Sequence, residues 1–319
     1  MRLKPVTCLL LLAAACGRGR PPEIRIGINP WPGYEFLWLA AHVGLFDSTA
    51  VQIRAVEFNS LSDARRAFER GQVEGFTSTT IEVLEARDNG TRRPEIVYVT
   101  DYSNGADVLI GGSGIRRVPD LRGRKIGAEF GSLNLYLLAR ALEKERMTLA
   151  DVTPVSVELL DMPEAFKSHG VDAVATYPPA SLDILRRPES KVLFSSAEIP
   201  GEIIDVVSLD SQVIAAHPEV VGIIARGFDA GRRYAEQHPV EAYELMARRE
   251  HISVEEFRST LNGGIQTLSL EKQGPYFGGP TRLAAILRRS ADLLHSIGEI
   301  REAPDADRAF VPAIAAPGR

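Results

Sequence analysis

Cysteine is almost absent from this sequence of 319 residues. The two cysteines, Cys8 and Cys16, both lie near the N-terminus, and none follows in the rest of the chain. A folded domain that begins after Cys16 therefore forms no disulfide and carries no thiol for catalysis or metal binding. Such a domain must be stabilised by its apolar core, and 45% hydrophobic residues is the share found in globular proteins.

The sequence also lacks the short motifs that carry most enzyme chemistry. It contains no phosphate-binding loop, dinucleotide glycine fingerprint, nucleophile elbow or zinc-ligand spacing. Gly111-Gly112-Ser113-Gly114 is not followed by a helix pattern, which indicates a turn. The six histidines are isolated from one another, and no carboxylate pair has a spacing that demands acid/base catalysis. We therefore predict a protein that is not an enzyme and holds neither metal nor cofactor.

A strong excess of charge is missing as well. The chain has 37 basic and 42 acidic residues, a net charge of −5, and its basic residues are scattered. A surface for nucleic acid or for an anionic membrane needs clustered Lys and Arg. We predict no nucleic-acid partner, a monomer, and contact with a membrane only through an N-terminal anchor.

The N-terminus is typical of an export signal. Basic residues precede an apolar run over 6–12 that is too short to span a bilayer, and three alanines lead directly to Cys16. This end of the run resembles the lipobox of bacterial lipoproteins, although Ala13 stands where leucine is usual. We predict export to the periplasm and lipid anchoring at Cys16, with 1–15 as signal peptide and 16–22 as tether. An ordinary signal peptidase, which also accepts these alanines, is the alternative.

The segment 24–46 organises the rest of the chain. Alternating isoleucines over 24–28 predict a β-strand, Asn29-Pro30-Trp31-Pro32-Gly33 breaks regular structure, and apolar residues then recur at helical spacing. In an open α/β sheet, ligands bind at the loop that leaves the carboxyl end of a strand, beside the next helix N-terminus. Prolines stiffen this loop, and a solvent-facing loop gains little by exposing Trp31 and Tyr34.

Strands and helices alternate along the chain, which predicts an α/β fold with mostly parallel sheets. Two segments recur about one hundred residues later: 25–27 resembles 125–127, and 73–76 resembles 171–174. Chance explains either match alone. Their similar offset favours two similar lobes whose strand ends face one cleft, where a ligand is enclosed from both sides.

Three further segments carry expectations of their own. Thr77-Ser78-Thr79-Thr80 is expected to lead from a strand into a helix. The segment 101–105 is expected to be a turn or a part of the site. Because Pro, Ala and Asp dominate from Ala303 onward, we expect a loosely ordered tail there.

Polar and aromatic residues accumulate at the predicted strand ends. Each alone has a simpler explanation, since Ser132 or Ser78-Thr79-Thr80 is equally the N-cap that a helix needs. Together, helix N-termini from both lobes would offer N–H donors and a positive dipole to an anion beneath an aromatic ring. The set comprises Asn29, Trp31, Tyr34, Glu35, Ser78, Thr79, Thr80, Asp101, Tyr102, Ser103, Asn104, Asp107, Ser132, Leu133, Asn134 and Tyr177.

Four motifs together resemble a known family over roughly 24–270. They are Trp31-Pro32-Gly33-Tyr34, Asp101-Tyr102-Ser103-x-Gly105-Ala106-Asp107, the segment 120–127, and Gly170-Val171-Asp172-Ala173. The family is that of the substrate-binding proteins of bacterial ABC importers in the nitrate, sulfonate and taurine group, whose relatives bind the pyrimidine precursor of thiamine.

This resemblance implies a two-lobed α/β periplasmic-binding-protein fold of type II. Each lobe would be a mostly parallel sheet flanked by helices, with the ligand cleft between the lobes. Lobe one would comprise 23–105 plus 204–298, lobe two 106–203, and 299–319 would form a flexible tail.

The resemblance also implies roles for residues whose motifs match. Ser103 and Asp107 would sit at the hinge, and Asp205 on the returning crossover. Closure of the lobes on the ligand would create the form that a membrane partner recognises. The implied ligand-binding residues are Trp31, Tyr34, Glu35, Thr79, Thr80, Ser103, Asp107, Ser132, Asn134, Tyr177 and Asp205.

The implied function is capture of a small molecule and its delivery to an ABC permease. Glu35, Glu129, Asp107 and Asp205 place negative charge near the cleft, which disfavours a strongly anionic ligand; solvation or backbone hydrogen bonds explain these acids equally. If two of them face the cavity, an aminosulfonate zwitterion or a neutral or cationic heteroaromatic stacked on Trp31 fits better. Two other classes stay open: a sensor that docks to a membrane receptor, and an enzyme of pyrimidine metabolism, which the missing cysteine-rich motif disfavours.

Overall fold

The computed structural model describes residues 21–90, 92–277, 281–302 and 305–312. Cys8, Cys16 and the predicted signal peptide therefore lie outside the described residues, together with most of the predicted tether. Within the described ranges, none of the helices is both long and apolar enough to cross a membrane.

The first part of the chain alternates between strands and helices, as its apolar spacing predicts. Side chains with hydroxyl or carboxyl groups fix the helix starts: Ser60 caps the second helix, and Thr79 with Glu82 forms a capping box at the third. The elements are β1 (Glu23–Ile28), α1 (Glu35–His42), β2 (Gln52–Glu57), α2 (Leu61–Glu69), β3 (Gly75–Thr79), α3 (Thr80–Asn89) and β4 (Pro94–Ser103).

A second group of strands follows, and the chain then returns and ends in a mainly helical part. The second group consists of β5 (Val108–Gly111), β6 (Lys125–Ala128), α4 (Leu133–Lys144), β7 (Thr153–Ser156), α5 (Met162–Lys167), β8 (Ala173–Thr176), α6 (Ala180–Leu185) and β9 (Lys191–Ser195). The returning part consists of β10 (Ile204–Asp210), α7 (Ser211–Ala216), α8 (Glu219–Gln237), α9 (Pro239–Arg249), α10 (Val254–Gly263), β11 (Ile265–Thr267) and α11 (Arg282–Ser296).

The strands form two sheets. The first has the order β11-β4-β10-β3-β1-β2, and the second has the order β7-β6-β8-β5-β9. Neighbouring strands β1, β2 and β3 are parallel, as are β6, β7 and β8. In contrast, β10 and β5 run antiparallel to both of their neighbours. Each sheet thus contains one internal strand that runs antiparallel to both neighbours, and it is the strand that arrives from the other sheet. The edge strand β11 is also antiparallel to β4, so both sheets are mixed.

The internal repeat is visible in the register of the two sheets. Ile26 of β1 lies opposite Gly75 of β3, and Ile126 of β6 lies opposite Ala173 of β8. These pairs fall in the segments that match in sequence. The two matches are therefore not chance, because the same strand pair recurs in the same register, and the predicted pair of similar α/β units is confirmed.

Two predicted boundaries differ from the structure. β3 continues to Thr79, so Thr77, Ser78 and Thr79 belong to the strand and do not form the predicted link between strand and helix. β4 continues through Asp101 to Ser103, in the segment for which a turn was one alternative. The cause in both cases is β10, which pairs antiparallel with β3 and with β4 along their lengths. Such a partner, about one hundred residues away in sequence, leaves no mark on the local pattern.

The prediction of a loose tail from 299 onward is wrong for the described residues 305–312. Phe310 forms a parallel bridge with Ile96 of β4. The backbone N–H of Val311 donates to the Ile96 carbonyl at 3.0 Å, and Ala309 is fully buried. This part of β4 extends beyond the short strand β11, so its open backbone groups accept the tail.

The crossing of α1 and α8 holds the first helix close to the sheet. A Cβ atom at Gly231 of α8 would lie 2.0 Å from the backbone oxygen of Phe36. Only glycine allows this approach. Phe36 and Phe228 also pack edge to face, with ring centroids 5.8 Å apart. The position of α1, and of the loop before it, is therefore set by buried packing.

Candidate ligand-binding site

A small cavity lies where the two sheets meet. The empty space between its walls totals about 160 Å³ and is too narrow to hold a water molecule, so a ligand can enter only when the walls move apart. The first sheet and its loops supply five lining residues, the connection from β4 to β5 supplies one, and the second sheet supplies two. The lining residues are Asn29, Trp31, Tyr34, Leu61, Asp107, Leu133, Tyr177 and Asp205.

The loop between β1 and α1 places two aromatic rings against this cavity. A Cβ at Gly33 would lie 2.0 Å from a carboxylate oxygen of Asp101, so a residue with a side chain does not fit at this position unless Asp101 moves. Trp31 donates from Nε1 to Asp101 at 3.1 Å, and the Tyr34 hydroxyl donates to Asp205. Asp101 and Asp205 lie opposite each other on the paired strands β4 and β10. These two carboxyl groups therefore orient both rings.

Tyr177 and Leu133 form the opposite wall. The ring of Tyr177 meets that of Trp31 edge to face, with centroids 6.1 Å apart and planes at 80°. Its hydroxyl accepts a hydrogen bond from the backbone N–H of Leu61, at the start of α2, at 3.3 Å. Trp31, Tyr177 and Leu133 are all buried. The two sheets and their helices thus contact each other across the cavity, and the arrangement is closed.

Four oxygen atoms of the lining residues have no hydrogen-bond donor within the described part of the chain. They are both carboxylate oxygens of Asp107, Oδ2 of Asp205 and Oδ1 of Asn29. The three residues are at most 2% exposed. A buried acceptor without a donor costs about 1–3 kcal/mol. The cavity is therefore complementary to a molecule that carries several N–H or O–H groups.

Burial also changes the protonation of these carboxyl groups, because none of the residues that line the cavity is basic. Burial raises the pKa of Asp107 to about 7 and that of Asp101 to about 6. It also raises the pKa of Asp205 well above its usual range, and the neighbouring carboxyls of Asp101 and Asp107 add to that effect. A bound cation would favour the ionised forms of all three.

A known protein family matches most of this chain. Residues 31–242, more than half of it, match the family described as NMT1/THI5 like. The chain belongs to the NMT1/THI5-like family. The match includes the loop with Trp31 and Tyr34 and all the other residues that line the cavity except Asn29.

Two solved structures with the same fold are those of sulfonate-binding proteins. The alkanesulfonate-binding protein SsuA from Xanthomonas axonopodis pv. citri, bound to MOPS, gives a TM-score of 0.76 at 19% identity, covering 92% of this chain and 99% of that one. The periplasmic aliphatic sulphonate-binding protein SsuA from Escherichia coli gives 0.75 at 19% identity, covering 91% and 98%. At this identity the likeness shows the fold, so this NMT1/THI5-like chain has the periplasmic-binding-protein fold that the sequence predicts.

An enzyme shares the fold as well. The desulfurization enzyme DSZB gives a TM-score of 0.66 at 15% identity, covering 92% of this chain and 97% of that one. No curated protein shows significant sequence similarity to the chain. The family and the fold are therefore established, and the fold alone does not choose between binding and catalysis.

Five of the predicted ligand-binding residues line the cavity of this NMT1/THI5-like protein: Trp31, Tyr34, Asp107, Tyr177 and Asp205. They come from the first loop, the first connection, the end of β8 and β10. The structure therefore brings together residues that are up to 174 positions apart in sequence.

Ser103 lies beside the cavity, where the two connections between the sheets run next to each other. Its hydroxyl lies 2.7 Å from that of Ser196, which follows β9, and it accepts a hydrogen bond from the backbone N–H of Asp107. Ser196 also accepts a hydrogen bond from the Gly105 N–H at 2.6 Å. The serine pair ties the two connections together.

Thr79, Thr80, Ser132 and Asn134 do not line the cavity, which corrects the prediction for these residues. Thr79 caps α3 and donates from its hydroxyl to Glu82. The Ser132 hydroxyl donates to Asn134, whose amide donates to the backbone of the second sheet. Thr80 is fully buried. Of these four residues only Thr79 caps a helix with its side chain. The Ser132 hydroxyl makes no capping bond, and the buried Thr80 hydroxyl has no hydrogen-bond partner among the described residues.

Glu35 is also placed differently from the prediction. Its carboxylate pairs with Arg249 of α9, and Glu35 is fully buried on the side of α1 that faces this helix. Burial raises the pKa of Glu35 to about 7 despite the guanidinium. The first turn of a helix turns away from the preceding loop within one residue, so Tyr34 faces the cavity and Glu35 does not.

Residues outside the implied ligand-binding set also contribute; Asn29, Leu133 and Asp101 belong to the wider set at strand ends that the sequence indicates, and Leu61 to neither. Asn29, Leu61 and Leu133 line the cavity, and Asp101 orients Trp31. Glu82 binds across the cleft to the backbone N–H of Leu133 at 2.8 Å. For Glu82 the sequence does contain a signal, because Thr79 followed three positions later by Glu is a capping box. That motif explains one of its two contacts and does not indicate the second.

Proposed function

We propose that this protein is an extracytoplasmic solute-binding protein that captures a small molecule by closing two lobes and delivers it to an ABC importer. The lobes would be 23–105 plus 204–298 and 106–203. The observation that carries the proposal is the closed cavity, whose walls come from both sheets and which contains four acceptors that lack a donor. A ligand that supplied those donors would stabilise the closed form.

The two connections between the sheets support a hinge mechanism. The chain crosses once after Ser103 and returns after Ser196, and the two serines contact each other. A pair of adjacent connections of this kind allows two rigid bodies to rotate about a small number of backbone positions. Small-angle X-ray scattering should detect a smaller radius of gyration when the ligand is bound. An unchanged radius with a tightly bound ligand would contradict closure.

Binding, rather than catalysis, is favoured by the residues at the cavity. They comprise carboxyl, amide, aromatic and leucine side chains, and they include no Ser, Cys, Lys or His. The usual nucleophiles and the usual neutral-pH base are thus not in contact with a ligand there. Turnover of a bound compound by the purified protein would overturn this part of the proposal.

For the ligand we retain the two predicted classes, a sulfonate or taurine-like compound and a heteroaromatic pyrimidine-like compound. The SsuA proteins of the same fold are described as binding alkanesulfonates or aliphatic sulphonates. Native mass spectrometry of the protein purified from its source is the most direct test, because a closed cavity retains its ligand. Thermal shifts with methanesulfonate, taurine, nitrate and 4-aminopyrimidine complement it, since tight binding raises the melting temperature.

We further propose that export and lipidation at Cys16 hold the protein at the membrane, next to the permease. Cys16→Ser should release the protein from the membrane fraction without changing its ligand affinity. A soluble periplasmic location of the wild type would favour ordinary signal cleavage instead. A sensor role remains the alternative, and a pull-down that recovers a receptor rather than a permease would favour it.

A further inference from the structure

The N-terminus of α4 is already bound by a carboxylate from the other side of the cavity. Glu82 of α3 accepts a hydrogen bond from the Leu133 N–H at 2.8 Å, and Leu133 is the first residue of α4 and lines the cavity. The other oxygen of Glu82 accepts from the backbone and hydroxyl of Thr79. One buried carboxylate thus caps its own helix and a helix of the opposite sheet.

The N-terminus of α2 is bound in the reciprocal way. Glu129 follows β6 of the second sheet and accepts a hydrogen bond from the hydroxyl of Ser62, in the first turn of α2. The first N–H of this helix, at Leu61, donates to Tyr177 of the second sheet. Each sheet therefore sends an acidic side chain to a helix start that belongs to the other sheet.

These contacts reverse the electrostatic character that the helix starts would otherwise have. A helix N-terminus carries about half a positive charge and attracts an anion. Here the Glu82 carboxyl already accepts the first N–H of α4, which is the position that the anionic group of a ligand would take. At α2 the first N–H is bound by Tyr177, and Glu129 accepts from the adjacent Ser62 hydroxyl. Arg65, the nearest buried base of α2, is paired with Glu69 and Glu85.

The groups that remain open are acceptors. Both oxygens of Asp107 and one oxygen each of Asp205 and Asn29 lack a donor among the described residues, and all three residues are buried against the cavity. Burial raises the pKa of Glu129 to about 7 and raises that of Glu82 as well, which is the expected response of carboxyls without a cation nearby.

We propose that Glu82 and Glu129 determine specificity: they fill the helix starts with the protein's own carboxylates, so that the cleft selects a compact cation with several N–H groups over an anion. This inference rests on the proposed binding function and goes beyond it, because it assigns a charge to the ligand. The N–H groups of the ligand would satisfy Asp107, Asp205 and Asn29. The ligand would contact the Trp31 ring after the edge-to-face contact between Trp31 and Tyr177 opens to admit it.

The test combines the retained ligand with defined probes. The chemical identity of a compound released from the protein purified from its source gives its charge at neutral pH. Isothermal titration with methylguanidinium and with methanesulfonate then gives the cation-to-anion affinity ratio. We expect a retained cation, and a wild-type ratio of at least about 100. A retained anion, or tighter binding of methanesulfonate, would overturn the inference while leaving the binding function intact.

Variants of Glu82 sharpen the test. Glu82→Gln keeps the capping geometry and removes the charge, and Glu82→Ala also opens the α4 start. We expect the affinity ratio to fall at least about tenfold in Glu82→Gln, and methanesulfonate binding to become measurable in Glu82→Ala. Glu244→Gln, an exposed acid on α9, is the matched control and should leave the ratio unchanged.

The outcomes separate the two proposals. An unchanged ratio in folded Glu82→Gln and Glu129→Gln would show that the two acids do not set specificity. If the protein from its source retains nothing and none of the probes, taurine, nitrate or 4-aminopyrimidine binds, the binding function itself fails. Circular dichroism of every variant distinguishes a loss of folding from a loss of selectivity.

Discussion

The units β1–loop–α1 and β6–loop–α4 occupy equivalent positions in the registers of their two sheets. They differ in how the start of the helix is fixed. In the first unit, Glu35 of α1 pairs with Arg249 of α9, and both helices belong to the same sheet. In the second unit, the first N–H of α4 is bound by Glu82, which belongs to the opposite sheet. One helix start is therefore held inside a lobe, and the other is held between lobes.

Contacts inside a lobe and contacts between lobes are expected to affect different properties, the first the stability of the fold and the second the closure of the cleft. A contact inside a lobe is present whether the cleft is open or closed, so its loss lowers the stability of the folded chain. A contact between lobes exists only in the closed form, so its loss changes the balance between open and closed forms. Three predictions test this distinction between the stability of the folded chain and the balance between its open and closed forms.

The largest expected effect is on folding. Arg249→Ala leaves Glu35 and Glu250 buried beside each other without their cation, and removes the hydrogen bond from Arg249 to the Ile28 carbonyl at 3.0 Å. We expect a loss of about 3 kcal/mol in the free energy of unfolding. Urea denaturation followed by circular dichroism measures it.

The pH dependence of that loss identifies its cause. Burial raises the pKa values of Glu35 and Glu250, so at pH 5 both can be protonated and the missing cation matters less than at pH 8. Arg248→Ala, an exposed neighbour on α9, is the control and should change the stability by less than about 0.5 kcal/mol. An equal loss in both variants would mean that the buried cluster is not responsible.

The next effect is on ligand binding. Trp31→Ala removes the ring that contacts Tyr177 across the cavity, and we expect the affinity for the retained ligand to fall at least about 100-fold. The ligand-free chain should lose only about 1–3 kcal/mol of stability, because Asp101 of the same lobe loses the hydrogen bond that Trp31 donates to it. The other tryptophan, Trp38, stacks on His42 away from the cavity, and Trp38→Ala should bind normally. A stability loss of several kcal/mol in Trp31→Ala would instead identify a core residue.

The smallest expected effect is the pH dependence of the ligand-free protein. The carboxyls at the cavity have raised pKa values, about 6 for Asp101 and about 7 for Asp107, with Asp205, Glu82 and Glu129 also raised. They face one another and the hydroxyls of Tyr34 and Tyr177. A raised pKa means that the folded state binds more protons than the unfolded state, so stability falls as pH rises through these values.

We therefore expect the melting temperature of the ligand-free protein to fall by a few degrees between pH 5 and pH 8. Asp107→Asn cannot ionise and should flatten this profile, making the variant more stable than the wild type at pH 8. Differential scanning calorimetry at constant ionic strength measures both proteins. Stability that rises over this interval would mean that the carboxyls are ionised and compensated in the closed form.

Local sequence patterns were sufficient to predict the two α/β units of the fold and some of the residues that line the cavity. The alternating isoleucines of β1 and the matched segment at Ile126 predict two similar α/β units, and the stiff loop predicts Trp31 and Tyr34. Both features depend on neighbours in sequence. Residues that depend on distant partners could not be placed in this way. Glu35 carries the same charge whether it faces a ligand or Arg249, and only the packing of α9 decides.

The same reason explains the other differences. The length of β4 depends on β10 and on the tail at Phe310, which are far away in sequence. The threonines and serines at strand ends can cap helices or contact a ligand, and their sequence is identical in both cases. Glu82 was recognisable as a capping residue, but its contact with Leu133 requires the second lobe to be in position.

The serine pair at the two connections has a consequence for the order of events in binding. Ser103 and Ser196 hold the connections side by side, so under the proposed closure the lobes would rotate about a line that passes close to them. Asp107 lies four residues beyond Ser103 and lines the cavity, so it is displaced less than Trp31 or Tyr177 when the lobes separate. It is the point of the binding surface that stays fixed, and an arriving solute can meet it before either wall closes.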